Sequence, residues 1–133
     1  MKTDILAIIG DPHITSTVGL IKPAVRLDDG GQYRASKGQR WLWRNFLDYC
    51  ENVGALKDKH QAHVTGFING DAVEGDAKVR SKQIVTPNIA NMLEIAVETL
   101  EPLLDVIDDL FIIRGTGAHS GKSGEYEEAL AHD

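Results

Sequence analysis

Residues 5–13 read Ile-Leu-Ala-Ile-Ile-Gly-Asp-Pro-His. Five consecutive apolar residues that stop at a glycine suit a strand buried on both faces, as in a parallel sheet covered by helices. In open α/β sheets, ligands bind just past the carboxyl ends of such strands. Gly10 permits a sharp turn at that point, and Pro12 fixes φ between two polar residues. Asp11 and His13 are therefore expected to converge, offering a hard oxygen and a borderline nitrogen to Mn²⁺, Fe or Zn²⁺. Taken alone, the pair reads equally well as a turn cap beside a surface histidine.

The same pattern recurs twice. Residues 66–75 read Gly-Phe-Ile-Asn-Gly-Asp-Ala-Val-Glu-Gly, a β-prone segment ending in Gly-Asp. Residues 110–119 read Leu-Phe-Ile-Ile-Arg-Gly-Thr-Gly-Ala-His, an apolar run ending in glycine with a histidine soon after. Each strand end is followed by a residue that can ligate a metal or move a proton. Three separate caps would be a weaker account of that repetition.

With these residues the chain resembles the calcineurin-like metallophosphoesterases. Their motifs are Asp-x-His, then Gly-Asp-x-x-(Asp/Glu)-x-Gly or close variants, then Gly-Asn-His-(Asp/Glu). Asp11-Pro12-His13 matches the first, and Gly70-Asp71-Ala72-Val73-Glu74-Gly75 is similar to the second, one residue shorter before its closing glycine. Arg114-Gly115-Thr116-Gly117-Ala118-His119 is similar to a divergent third, in wording close to members common in bacteriophage genomes. The resemblance spans residues 4–130. It implies an α/β fold, a layered metallophosphoesterase-like sandwich of which β-loop-α-β-α-β-α would be the first half. It also implies a metal-dependent phosphoric ester hydrolase with a dinuclear Mn, Fe or Zn centre, acting in the cytoplasm of a bacterial or phage-infected cell. By position it implies Asp11 and His13 on one metal, Asp71 bridging two, and His119 as proton donor to the leaving group. The chemistry is coherent, because a divalent ion supplies a nucleophile at neutral pH and draws charge from phosphoryl oxygens.

Two departures shape the expectation. Thr116 stands where the family has asparagine, and Gly117 and Ala118 are inserted before His119. The family's later histidines, usually ending in Gly-His-x-His, have no counterpart after His119 except His132. Residues 1–133 are thus expected to be one carboxy-terminally truncated domain. Such a chain should hold the second ion weakly, turn over slowly, and self-associate through an unpaired sheet edge. His60 and His63 fall in a helix-to-strand connection and are expected to face solvent.

A rival motif lies at Thr116-Gly117-Ala118-His119-Ser120-Gly121-Lys122-Ser123, which lacks only the first glycine of a phosphate-binding P-loop. It follows an expected strand and precedes a helix-like stretch. A P-loop leaves the two upstream Gly-Asp strand ends unexplained and has no downstream aspartate for Mg²⁺. A third reading is an inactive structural or interaction module descended from an enzyme.

Composition narrows the classes. The net charge of −6 argues against a broad electrostatic grip on nucleic acid but not against a phosphate held through metal. The single Cys50 excludes an internal disulfide, fits a reducing compartment, and sits among helical apolar residues as a core side chain. No apolar run reaches the ~18 residues of a membrane span, and none resembles a signal peptide.

The parse is a strand at 4–9, a long loop over 14–37, a helix at 38–53 stopped by Gly54, a strand at 63–69, a helix at 88–108 and a strand at 110–114. The first helix is expected to bury Trp41, Leu42, Asn45, Phe46 and Tyr49. The second should bury Met92, Ile95, Ala96, Thr99, Leu100, Leu103, Val106 and Ile107, with Pro102 bending or interrupting it and its acids facing solvent. Arg26, Arg34, Lys37, Lys78, Arg80 and Lys82 flank the expected site edge, where solvated charges are the simpler reading.

Overall fold

In the computed structural model, which describes residues 2–73, 83–114 and 125–132, the first apolar run is strand β1 (Asp4–Gly10). It pairs in parallel with β4 (His63–Asn69), which pairs in parallel with β5 (Asp109–Ile113). The sheet order is β1-β4-β5. Parallel neighbours need long crossovers, supplied here by helix α1 (Lys37–His60) and helix α2 (Ile89–Leu104). A short helix α3 (Glu125–His132) follows β5. The chain is therefore a mixed α/β fold on a three-stranded parallel sheet.

Both long helices cover one face of that sheet. Ala7 and Val64 are buried with Phe46, Cys50 and Val53 of α1 and Leu103 of α2. Ile68 is buried with Met92, Ile95, Ala96 and Leu100 of α2, joined by Leu130 of α3. The opposite face is open: Leu6 is 64% exposed, Ile8 56%, Phe111 55% and Ile113 48%. On it the rings of Phe67 and Phe111 stack with centroids 5.4 Å apart. The expectation that β1 is buried on both faces is therefore corrected. A run of five apolar residues supplies side chains for two buried faces, but among the described residues only one receives a covering layer.

The ends of both long helices also move. Helix α1 runs past Gly54 to His60, with Gln61 at φ 48° closing it. Gly54 is a packing position, since a Cβ there would lie 3.2 Å from Val106 Cγ1. The buried face of α1 carries Gln39, Phe46, Cys50 and Val53, while Trp41 is 58% exposed, so the stripe is rotated from the expected one. Helix α2 continues through Pro102 and ends two residues later at Leu104. Only one turn remained to be broken, and Val106 and Ile107 pack in the core from the following turn. The long loop also contains a small antiparallel ribbon, β2 (Ala24–Arg26) and β3 (Gln32–Arg34). Among the described residues, no helix is long and apolar enough to cross a membrane.

Asp108 clamps the end of α1 to the sheet. Its carboxylate accepts from Lys57 Nζ at 2.8 Å and from the Val64 amide at 2.8 Å. The Lys57 hydrogen bond first, and then the Val64 amide, hold the carboxyl below the usual aspartate range. A depressed folded-state pKa stabilises fully above the unfolded value, ~3.9, and that contribution is lost as pH falls through the lower folded value. In urea unfolding, the stability gap between wild type and Asp108→Asn should be largest near neutrality and shrink below about pH 4. A gap independent of pH would show that the clamp is not ionic.

Candidate metal centre

The sheet's carboxyl end continues as two loops laced together by their backbones. The Asp11 amide donates to Asn69 O at 3.3 Å, the His13 amide to Asp71 O at 2.9 Å and the Ile14 amide to Ala72 O at 3.0 Å. Beneath them Ile14, Ala72 and Val73 are fully buried, at 0% exposure. The sequence therefore anchors both loops with apolar side chains, with Thr15 and Ser16 buried beside them. Asp11 is exposed, and His13 and Asp71 are partly buried.

These three side chains come together. One ligand atom from each of Asp11, His13 and Asp71 lies within 4.8 Å of the others. His13 Nε2 stands 3.9 Å from Asp71 Oδ2. Two ligands each ~2.1 Å from one ion can be at most about 4.2 Å apart. The His13–Asp71 spacing lies under that limit and the 4.8 Å bound on the group lies above it, so the side chains would have to draw together around an ion. Two carboxylates and an imidazole suit Mn²⁺, Fe or Zn²⁺. Among the described residues, no other group of three such side chains meets the same distances.

All three candidates also have positive φ, a property shared by Thr15 (75°) in the same loop and Gln61 (48°) at the end of α1. Asp11, His13 and Asp71 have φ of 42°, 45° and 38°, in the left-handed region. Asp and His enter that region more readily than most side chains, but still at a cost of about 1 kcal/mol or more each. Such outliers gather at functional sites, where the surrounding structure enforces them. Here the enforcement is visible in the lacing hydrogen bonds and in the turn that follows.

That turn depends on residues that carry only weak sequence signals. Gly19 packs flat against the His13 loop, where a Cβ would lie 2.8 Å from His13 C and 2.9 Å from Pro12 O. The Leu20 amide donates to Pro12 O at 2.9 Å. Gln39, only 1% exposed, donates through its side-chain amide to Ser16 O at 3.0 Å and Gly19 O at 3.1 Å. Its Oε1 accepts from the Tyr33 hydroxyl at 2.7 Å and the Ser36 amide at 3.1 Å. Ser36 Oγ in turn accepts from the Gln39 amide, which completes a capping box at the start of α1. One satisfied buried amide thus ties the His13 loop, the β2–β3 ribbon and α1 together. The pattern Ser36-x-x-Gln39 is a sequence signal for a helix start that the expected start at residue 38 did not use; no local pattern signals the second role of Gln39.

The remaining candidates divide. His60 and His63 are exposed at the other end of the sheet, where His63 opens β4 rather than a loop and pairs with Asp109 at 2.6 Å. Cys50 is 3% exposed, and burial pushes its thiol up to about 11, which leaves it protonated and inert at neutral pH. Arg26, Arg34 and Lys37 are exposed. His119, Glu74, Lys78, Arg80, Lys82 and the P-loop-like segment 116–123 lie outside the described residues. Comparison with protein-family models, with curated proteins and with solved structures finds no match to this chain.

Proposed function

We propose that Asp11, His13 and Asp71 hold a divalent metal ion, and that the chain is a metal-dependent phosphoric ester hydrolase of the calcineurin-like metallophosphoesterase kind. The observation that carries this reading is the convergence of three ligand-type side chains, all from left-handed backbone positions, at the carboxyl end of a parallel sheet. When bound, the ion would activate a water and draw charge from the phosphoryl oxygens. Asp11, at the exposed rim, leaves an open approach for an ester. Asp71 sits deeper beside His13 and serves as the bridging carboxylate if a second ion binds. His119 is assigned the proton transfer to the leaving group by its motif position alone. The fold that belongs with this reading is the layered sandwich, and the open face of the sheet is where its second layer would pack.

Isothermal titration of metal-free protein with Mn²⁺ tests the reading. Wild type should bind, and the double variant Asp11→Ala, Asp71→Ala should bind at least about 100-fold more weakly, since two of three ligands are gone. Unchanged binding in the double variant would move any metal site elsewhere. The P-loop reading makes a different demand. Under it, Lys122→Ala would abolish ATP or GTP binding, because that lysine neutralises the β- and γ-phosphates. Under the phosphoesterase reading, the same change leaves Mn²⁺-dependent cleavage of an aryl phosphodiester nearly intact.

A further inference from the structure

A cavity of about 590 Å³ opens beside Asp11 and His13. That volume falls in the range of small-molecule sites, which are mostly apolar with a few placed polar groups. Its walls are apolar on three sides: Ile9 from β1, Val18 and Leu20 from the loop, and Leu42, Phe46 and Tyr49 from α1. Asp11 and His13 border the same space, so it grades from metal-ligating chemistry into an apolar interior.

The polar groups along its walls are few and largely committed. The Tyr49 hydroxyl donates to Ile8 O at 3.1 Å, and Ser16 Oγ accepts from the Val18 amide at 3.2 Å. Gln83 adds one side-chain amide. A nucleobase carries several donors and acceptors, each costly to bury without a partner. An apolar ring or chain carries none and gains from leaving water.

We propose that this cavity receives an apolar organic group, of the size of one or two fused aromatic rings, esterified to a phosphate at the Asp11–His13–Asp71 cluster. The proposal rests on the phosphoesterase reading of that cluster and specifies its substrate class. The phosphate is held at the polar end and the organic group lies against Leu42, Phe46 and Leu20.

Calorimetric titrations of the full chain test it with four probes: 1-naphthol, 1-naphthyl phosphate, methyl phosphate and adenosine 5′-monophosphate. Naphthol should bind the metal-free protein, and Leu42→Asp should weaken it at least about tenfold while Mn²⁺ still binds. Phe46→Leu, which keeps an apolar core, should weaken naphthol about threefold and serves if Leu42→Asp fails to fold. With Mn²⁺ present, naphthyl phosphate should bind at least about tenfold more tightly than methyl phosphate or the nucleotide. Absence of naphthol binding to folded wild type overturns the proposal whatever the Mn²⁺ titration gives. Naphthol binding that ignores both cavity variants overturns the location, and a nucleotide that matches naphthyl phosphate overturns the apolar class. Naphthol binding without any Mn²⁺ binding overturns the phosphoesterase reading and the ester part of the proposal with it.

Discussion

Gly19→Ala is expected to cost at least about 2 kcal/mol of stability and to weaken Mn²⁺ binding by at least about 100-fold, although residue 19 carries no ligand atom. The added methyl would press on backbone, on His13 C at 2.8 Å and Pro12 O at 2.9 Å, and backbone cannot swing aside as a side-chain tip can. Relief requires that either the 16–20 turn or the 11–13 turn moves. The first is held by Gln39 through Ser16 O and Gly19 O. The second is laced to Asp71 O and Ala72 O. Whichever yields, His13 leaves its position relative to Asp71. Urea unfolding and Mn²⁺ titration on the same preparation check both halves. A variant with wild-type stability and wild-type affinity would mean that the His13 loop is not held as tightly as its hydrogen bonds imply.

The three strands were legible because each is a short apolar run bounded by a turn residue. His63–Asn69 agrees with the expected strand to the residue, β1 runs one residue longer, and β5 lies one residue earlier at both ends. The convergence of Asp11, His13 and Asp71 was legible for a related reason: a strand ending in Gly-Asp or Gly-Asp-x-His places its next polar residues at the sheet's carboxyl edge. Their left-handed φ values were not readable, because Asp and His signal neither conformation strongly. The exposure of β1's second face was hidden too, since apolar side chains state what should be buried but not whether a covering layer is supplied. Helix α1 outran its glycine because a helix packed along one side tolerates Gly, which costs about 1 kcal/mol against Ala. Loop 14–37 was the least legible. Its order comes from long-range hydrogen bonds, such as Gln39 to Ser16 and Asn91 to the Asp28 amide and Arg26 carbonyl, which no local pattern records.

At high concentration two chains are expected to pack their open sheet faces together, with a dissociation constant on the order of 10–100 μM. Leu6 and Ile8 on β1 and Phe111 and Ile113 on β5 are each about half exposed or more, on either side of Phe67 of β4. With ~150–200 Å² per side chain, they leave about 400 Å² of contiguous apolar surface, a size that marks interaction sites on soluble proteins. Two such faces would cover about 800 Å² from these side chains alone, below the ~1,200 Å² of a stable specific complex, which is why the expected association is weak. The outer edge of β1 is the weaker route, because the Tyr49 hydroxyl already occupies the Ile8 carbonyl there. Sedimentation equilibrium from about 5 to 500 μM, which brackets the expected constant, reads the effect. Ile8→Lys and Leu6→Lys place a charge on the face while disturbing little else in the monomer, and each should weaken association at least about tenfold. Trp41→Lys removes an equally exposed side chain from α1, away from the sheet, and should leave association unchanged. A chain that stays monomeric at 500 μM, or one that associates equally well with all three substitutions, would show that this face is not where the copies meet.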